Sequence, residues 1–209
     1  MKIDNETVTN DQNSSFRCHT SQREELSFHL HHHLAYELVL INSGEGQRFV
    51  GDSLESFTAG DLVLIGPNLP HSWLGRKDPQ SYDVALFQFQ ASWFLKHFQG
   101  MPECEPIIEL LKRSVRGVAF DPEETDLIRQ RMLKIAHQDT FERWITLMRC
   151  LYDLSQMPEQ RCLSSALYTI PQNMEQDDKK INEICQHLLK HFCHSISQEA
   201  VAARFEMST

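Results

Sequence analysis

The stretch "HHHLAYELVLINSGEG", residues 31–46, places three histidines and a glutamate at the head of an apolar run. Side chains alternate between the two faces of a β-strand, so residues of equal parity share a face. In an extended strand His31, His33 and Glu37 therefore share one face, and His32 points to the other, where we expect it to be exposed. The pattern predicts a strand on which two imidazoles and a carboxylate converge.

The segments around this stretch also have strand-like patterns. Short runs rich in β-branched and aromatic residues, among them "QRFVG", "DLVLI" and "VALFQFQ", are separated by turn signals such as "GDS", "AGD" and "GPNLP". Many short strands at such spacing are typical of an antiparallel barrel or sandwich. We therefore predict an antiparallel β-barrel or β-sandwich over residues 16–90. The polar residues 1–15 are predicted to form a mobile arm before it.

Beyond Ala91 the spacing of apolar residues changes to that of helices, three and four apart. Residues 91–168 are predicted to form a helical region, with a broad apolar stripe in "TFERWITLMRCLYDLSQ". A polar, proline-containing linker is expected at 169–178. Residues 179–209 then begin a further helical piece, in which Ser197 is expected to cap a short helix. The fold class is α+β.

Composition limits the possible functions. A formal charge of -9 argues against a nucleic-acid surface over the whole molecule, although residues 179–209 carry four basic and three acidic residues. No run approaches the roughly 18–20 apolar residues that span a bilayer. The opening lacks the pattern of a signal peptide, and the six cysteines lack C-x-x-C spacing. These features favour a cytoplasmic protein with reduced thiols and no membrane partner.

A fourth polar residue, His71, follows "AGDLVLIGPNLP", a predicted strand and turn. If its strand lies beside the first, three histidines and one glutamate come together, a set typical of iron, manganese or nickel sites. Trp73 and Phe49 are candidates for the apolar walls of a ligand cavity. The alternatives are a hydrogen-bonded polar lining or surface display for the polar groups, and plain core packing for the two aromatic residues.

Two motifs support a family resemblance. "H-x-H-x-x-x-E-x6-G", starting at His31, is similar to the first motif of the cupin barrels, and "GDLVLIGPNLPH" resembles the second, with Leu69 near the position where metal-binding cupins have glycine. The whole segment more closely resembles the effector domains of AraC-type transcription regulators, over most of residues 28–90. This resemblance implies that residues 16–90 form a cupin-like antiparallel β-barrel of the jelly-roll type. "LLKRSVRGVAF" and "LYDLSQ" resemble the helical part that follows the barrel in a subgroup of these regulators.

The end of the sequence, "ISQEAVAARFEMST", resembles the start of the first helix-turn-helix unit of the same regulators. The resemblance implies that Ser208 and Thr209 lead into the DNA-reading helix, so they are the predicted DNA-binding residues. Residues 179–209 would then form an incomplete helix-turn-helix domain, truncated before its recognition helix. The 209 residues by themselves are expected to show no sequence-specific DNA binding.

The sequence thus predicts the effector-sensing and dimerisation portion of an AraC-type regulator, without enzyme activity or a cofactor. The expected partners are a small-molecule effector, DNA through the full-length protein, and a second copy of the chain bound through the helical stripes around 125–155. The predicted ligand-binding residues are His31, His33, Glu37, Phe49, His71 and Trp73.

Two other functions remain open from the residues. The first is a stand-alone metal-dependent cupin enzyme, an oxygenase or a sugar isomerase, with the metal on His31, His33, Glu37 and His71. The second is a binding module with neither metal nor DNA. Since Leu69 departs from the metal-cupin pattern, the sequence favours a pocket without metal.

Overall fold

A computed structural model describes residues 3–76, 81–158, 160–168, 184, 187, 197–205 and 207. The chain divides into two units, residues 5–170 and a smaller unit made of residues 1–4 and 171–209. The predicted linker at 169–178 lies outside the described residues, as do Ser208 and Thr209. We describe each unit by itself.

Eleven strands are described along the chain. They are β1 (Asp4–Asn5), β2 (Phe16–Arg23), β3 (His31–His32), β4 (Ala35–Ile41), β5 (Gly46–Val50), β6 (Ser53–Phe57), β7 (Asp61–Ile65), β8 (His71–Gly75), β9 (Tyr82–Gln90), β10 (Val118–Phe120) and β11 (Gln160–Cys162). They form a five-stranded sheet in the order β1-β3-β8-β5-β6 and a six-stranded sheet in the order β11-β10-β7-β4-β9-β2. The ladders with described register are antiparallel.

The prediction of a mixed fold with antiparallel strands is confirmed, but the described strands form two sheets and no closed barrel. Two strands, β10 and β11, come from the segment that was predicted to be helical. They are only three residues long, too short for an alternating pattern to be read. Both extend the edge of the six-stranded sheet beside β7.

Strand β4 is buried on both faces, which explains why its sequence is almost continuously apolar. Leu38 and Leu40 belong to a core that the six-stranded sheet shares with the helices. Val39 and Ile41 belong to a second core with residues of the opposite sheet. This inner face also carries Glu37, because residues of equal parity share a face.

Four helices follow the strands in the larger unit: α1 (Ala91–Phe98), α2 (Glu105–Arg113), α3 (Asp126–Leu133) and α4 (Thr140–Ser155). Helix α4 begins after Asp139, whose side chain accepts a hydrogen bond from the Glu142 amide. Its apolar stripe divides between two environments. Leu151 and Leu154 are fully buried, whereas Phe141 is 68% exposed.

In the smaller unit, helix α5 (Gln198–Arg204) begins where the sequence predicts a short capped helix. The Ser197 hydroxyl accepts a hydrogen bond from the Ala200 amide at 3.1 Å, and Ala202 is buried. The prediction of a helix-turn-helix stays a prediction, since most of residues 179–209 lie outside the described ranges. Among the described residues, no helix is both long and apolar enough to cross a membrane.

Candidate functional site

The two sheets bring four polar side chains together, and we call His31, His33, Glu37 and His71 the histidine–glutamate cluster. His31 and His71 are register partners on β3 and β8, as the sequence analysis required. His33 lies in the connection between β3 and β4, and Glu37 lies on β4. The cluster thus joins residues of both sheets.

The turn between β7 and β8 places His71. Asn68 has a φ of 61°, a conformation that asparagine tolerates better than most residues. Its amide donates to the His33 carbonyl at 2.7 Å, so the two histidine-bearing segments are tied together. Leu69, which departs from the metal-cupin pattern, is fully buried. The turn that contains Leu69 therefore still places His71 in the cluster.

Backbone carbonyls fix the orientation of all three rings. Nδ1 of His31 lies 2.9 Å from the His29 carbonyl, Nδ1 of His33 lies 3.0 Å from that of Ala35, and Nδ1 of His71 lies 2.7 Å from that of Leu69. A carbonyl oxygen only accepts, so each Nδ1 must carry the hydrogen. Each Nε2 is then free to face a carboxylate, a proton or a metal ion.

Glu37 is the acceptor at the centre of the cluster. Its Oε2 accepts hydrogen bonds from Nε2 of His33 at 3.0 Å and from Nε2 of Gln88 at 2.7 Å. Burial raises the pKa of Glu37, but the His33 hydrogen bond and the nearby imidazoles outweigh burial and lower this pKa to about 2. Burial lowers the pKa of His33, but the hydrogen bond and charge of Glu37 raise it above its usual value. The two form a buried ion pair.

His71 differs from His33 because its Nε2 is buried and has no hydrogen-bond partner among the described residues. This nitrogen lies 3.9 Å from Oε2 of Glu37. Burial lowers the pKa of His71 to about 3, and the charge of His31 acts in the same direction. The ring is therefore neutral, with an unpaired Nε2 lone pair directed into the cluster. A buried polar atom left in this state costs about 1–3 kcal/mol.

A cavity of about 280 Å³ adjoins the cluster and contacts it at His31 and Glu37. Its walls combine apolar side chains from the inner faces of the strands with polar groups from β2, β9 and the segment before β3. The lining residues are Glu6, Arg17, His19, Arg23, Leu26, Ser27, His29, His31, Glu37, Val39, Ile41, Ser72, Trp73, Val84, Leu86 and Gln88. Six of these residues are apolar and ten are polar, so the cavity has the apolar wall of a small-molecule site together with a larger than usual number of polar groups.

The predicted ligand-binding residues divide into those that line the cavity, those that belong only to the cluster, and one that belongs to neither. His31, Glu37 and Trp73 line the cavity, whereas His33 and His71 belong to the cluster without lining it. Phe49 belongs to neither, because it pairs with Ser72 across the β5–β8 ladder while its neighbour Arg48 pairs with Trp73. Arg48 therefore shares the inner face with Trp73, and Phe49 lies on the other side of β5.

The expectation that His32 is exposed is wrong, since only 9% of its surface is accessible. This expectation assumed that residues 31–41 form one uninterrupted strand with one face towards solvent. The structure instead breaks the strand at His33–Leu34. The His32 carbonyl also accepts a hydrogen bond from the Glu6 amide at 2.9 Å, so the arm lies against this part of the sheet.

Residues 13–103 match the family model described as "AraC-like ligand binding domain". This segment is similar to AraC-like ligand-binding domains. The match confirms the resemblance that the sequence analysis drew from residues 28–90. It also covers the cluster and every lining residue of the cavity except Glu6.

Similar solved structures include ToxT of Vibrio cholerae in an apo form, with 14% identity, a TM-score of 0.49 and coverage of 95% of this chain and 73% of that one. ToxT with a bound unsaturated fatty acid has 12% identity and a TM-score of 0.43, over 96% of this chain and 72% of that one. A cupin 2 conserved barrel domain protein of Rhodopseudomonas palustris has 24% identity and a TM-score of 0.34, over 40% and 58%. No curated protein matches the chain by sequence.

Sequence reasoning missed most of the polar residues around the cavity, and three of them lie in contact with each other or with Glu37. Gln88 lies opposite Glu37 on β9, and Arg17 lies opposite Gln88 on β2. Nη1 of Arg17 is 3.2 Å from Oε1 of Gln88 and 3.5 Å from Oε1 of Glu6. The alternation of "VALFQFQ" contained a signal for Gln88, which shares parity with the apolar Val84 and Leu86. For Glu6 and Arg17 the sequence contained none.

A second set of charged side chains connects the two sheets. It consists of Arg48, Glu55, Asp61 and Arg161, and we call it the arginine network. Arg48 contacts Asp61 closely and lies 2.9 Å from Oε2 of Glu55, and Arg161 binds Glu55 through two nitrogens at 2.7 and 2.8 Å. Asp61 also accepts a hydrogen bond from Nε1 of Trp73 at 3.0 Å. The cavity wall is therefore hydrogen-bonded to a cross-sheet ion pair.

Proposed function

We propose that this chain is the effector-sensing portion of an AraC-type transcription regulator in the cytoplasm. The observation that carries the proposal is the cavity of about 280 Å³ inside an AraC-like ligand-binding domain. A small molecule there would bind one arrangement of strands, arm and helices better than another. This difference in affinity would shift the population of DNA-competent protein.

The cavity limits the chemistry of the effector. Its volume is near the lower limit of about 300–1,000 Å³ for ligand pockets, which favours a small molecule. Val39, Leu86 and Trp73 supply apolar wall, and Arg17 and Gln88 supply donors at the cluster end. We infer an effector with a compact apolar body and one acceptor group that approaches Arg17.

Calorimetry on a panel of small aromatic and sugar acids tests this proposal. Leu86→Phe reduces the cavity volume, so it should weaken binding of a compound found in the panel by at least about tenfold, or 1.4 kcal/mol. Leu54→Phe on β6 is the matched control, since Leu54 is exposed and outside the lining. Equal affinity in wild type and Leu86→Phe would refute this cavity as the binding site.

We further propose that the regulator is a homodimer that pairs through helix α4. Phe141, Ile145 and Tyr152 lie on one side of that helix and are 68%, 41% and 40% exposed. Isolated exposed apolar residues are common, but a stripe of three large ones along one helix favours a partner surface.

Sedimentation equilibrium tests the dimer. The wild-type chain should sediment as a dimer, and the double variant Phe141→Ser with Ile145→Ser as a monomer. Leu167→Ser is the control, because Leu167 is 91% exposed and lies outside α4. A monomeric wild type at high concentration contradicts the proposal. DNA contact is proposed through the helix-turn-helix part, for which Ser208 and Thr209 remain the predicted residues.

A metal-dependent cupin enzyme is the second candidate, and the histidine–glutamate cluster is the observation that favours it. Mass spectrometry of the bound compound separates the two functions. After incubation with protein and Mn²⁺ or Fe²⁺, an effector is recovered unchanged, whereas an enzyme substrate is converted.

A further inference from the structure

A carboxylate of the N-terminal arm lies at the cluster end of the cavity. Glu6 is one of the lining residues, and its Oε1 lies 3.5 Å from Nη1 of Arg17. Its Oε2 lies 3.3 Å from Nε2 of His31. Nη1 of Arg17 also donates to Oε1 of Gln88 at 3.2 Å. The end of the cavity that offers donors to a ligand therefore already holds an anion, and this anion belongs to the protein itself.

The two carboxylates of the described lining, Glu6 and Glu37, differ in how firmly they are held. Glu37 is 4% exposed and accepts hydrogen bonds at 3.0 and 2.7 Å. The Glu6 side chain is 33% exposed, and both of its charged contacts are longer than the roughly 2.7–2.9 Å of a strong charge-assisted hydrogen bond. Ion pairs that are this accessible to solvent are weak. Glu6 is therefore the carboxylate that a ligand can replace.

A further carboxylate at Arg17 would compete with Glu6. Like charges within about 4–6 Å of each other disfavour their ionised forms, and Glu37 already contributes one negative charge nearby. The arginine network holds two carboxylates with two arginines, whereas Arg17 would have to hold two by itself. Arg23, the other arginine of the described lining, is exposed and donates to the Ser21 hydroxyl. The less firmly held carboxylate at Arg17 is expected to leave.

We propose that Glu6 is an internal competitor of the effector, which is a small monocarboxylic acid that binds Arg17 in place of Glu6 and releases the arm from the cavity. This inference rests on the effector site proposed above. It adds the charge of the effector and the group that the effector displaces. An amide or alcohol of the same shape has no charge with which to replace Glu6, so it leaves the arm in place.

The other contacts of the arm decide which part of it is released. Before Asp11 the arm is held by the side chain and amide of Glu6 and by the Val8 carbonyl, which accepts from Nε2 of Gln90 at 3.2 Å. Oδ2 of Asp11 accepts from the Cys18 amide of β2 at 2.9 Å, and this contact does not involve the cavity. Displacement of Glu6 should therefore loosen the chain before Asp11 and leave Asp11 on β2.

Calorimetry of the full chain with benzoate and with its neutral analogue benzamide tests the proposal. Benzoate is a compact acid with one charge and fits a cavity of about 280 Å³. In the wild type the apparent affinity for an acid is reduced by the fraction of molecules in which Glu6 has left Arg17. Glu6→Gln removes the competing charge and keeps the size of the side chain. It should bind benzoate about tenfold more tightly than the wild type, as for a wild type with about a tenth of its molecules open.

Benzamide should bind the wild type and Glu6→Gln equally. Arg17→Gln should bind benzoate no better than benzamide. Glu24→Gln is the matched control, because Glu24 is an exposed glutamate outside the cavity lining and its loss changes the net charge by the same amount. This control should bind benzoate like the wild type. Circular dichroism establishes that each variant is folded.

The proposal is overturned if Glu6→Gln binds no benzoate, or binds it no more tightly than the wild type does, because the site at Arg17 would then be open without favouring an acid. Failure of the cavity itself has a different signature. If a neutral compound binds the wild type, is weakened by Leu86→Phe and is unaffected by Glu6→Gln, the cavity remains the effector site and only the role of Glu6 is lost.

Hydrogen exchange tests the release of the arm. Saturating benzoate should speed exchange of the amides before Asp11 in the wild type, and Glu6→Gln should already exchange faster there without ligand. The amides of β7 (Asp61–Ile65) are the internal control and should not change. Slower exchange of the arm in the presence of benzoate would mean that the arm closes over the acid, and it would overturn the proposal.

Discussion

The histidine–glutamate cluster and the arginine network lie between the same two sheets but differ in how completely their buried polar groups are paired. Arg48, on the five-stranded sheet, contacts Asp61 on the six-stranded sheet and also binds Glu55. The cluster also joins the two sheets, yet Nε2 of His71 has no hydrogen-bond partner in the part of the chain that the structure describes. Complete pairing indicates a structural connection, whereas incomplete pairing at a cavity indicates a binding site.

The difference follows from the cost of burial. A buried ion that loses its partner costs several kcal/mol, so proteins pair such groups fully unless something else uses the unpaired atom. In the arginine network the guanidinium has enough donors for both carboxylates. In the cluster, Oε2 of Glu37 accepts hydrogen bonds from His33 and Gln88. Among the described residues, no donor reaches Nε2 of His71.

Removing Arg48 should have the largest effect. Arg48→Met leaves the Asp61 carboxylate without its cross-sheet cation, while Glu55 keeps its two hydrogen bonds to Arg161, and we expect the free energy of unfolding to fall by about 3–5 kcal/mol. Urea unfolding measures this change. Arg76→Met is the control: Arg76 pairs with Glu45 but is 72% exposed, so its loss should cost less than about 1 kcal/mol. Equal losses in the two variants would mean that the network is not structural.

Adding a metal ion should have the next largest effect, and on the cluster alone. At a free Co²⁺ concentration of 100 times its Kd, the wild type should gain about 2.7 kcal/mol of unfolding free energy. Chemical unfolding with and without the ion measures the gain. His71→Gln should gain almost nothing under the same conditions. A similar gain in both proteins would contradict the comparison.

Without metal, His71 should contribute little to stability. His71→Leu removes one hydrogen bond to the Leu69 carbonyl but also a buried nitrogen without a partner, so we expect a loss below about 1.5 kcal/mol. His33→Leu should cost more, because it leaves the Glu37 carboxylate buried without its cation. Urea unfolding of the two metal-free variants makes this comparison. If His71→Leu lost more unfolding free energy than His33→Leu, His71 would be a structural residue.

Trp73 lies between the two regions and should show the smallest effect on stability. Trp73→Phe removes its hydrogen bond to Asp61, while Arg48 still contacts that carboxylate. We expect a loss of about 1 kcal/mol in urea unfolding. The same variant should weaken effector binding, since Trp73 lines the cavity. A loss as large as that of Arg48→Met would show that Trp73, and not Arg48, holds Asp61.

Much of the site could be predicted from alternation along the strands. The parity of Glu37 with Val39 and Ile41 places it on the inner face, and His71 was predicted to lie beside His31. The sequence analysis predicted Phe49 as an apolar wall of the cavity, but the register of β5 with β8 places Arg48, and not Phe49, on the inner face. Which face of β5 is inner depends on its pairing with β8, which lies more than twenty residues further along the chain.

Local sequence patterns were enough to predict the strand-rich segment before Ala91, the helices that follow it, the capped helix after Ser197, and the polar residues of the cluster, but not the short strands β10 and β11. These depend on local spacing, on turn residues and on alternation, which are properties of neighbouring residues. Only the tertiary structure decided that Gln88 and Glu6 join the cluster, that Arg48 bridges the sheets, and that His71 keeps an unpaired nitrogen. Hydrogen-bond satisfaction depends on which distant groups meet in space, and a linear pattern contains no distances between them.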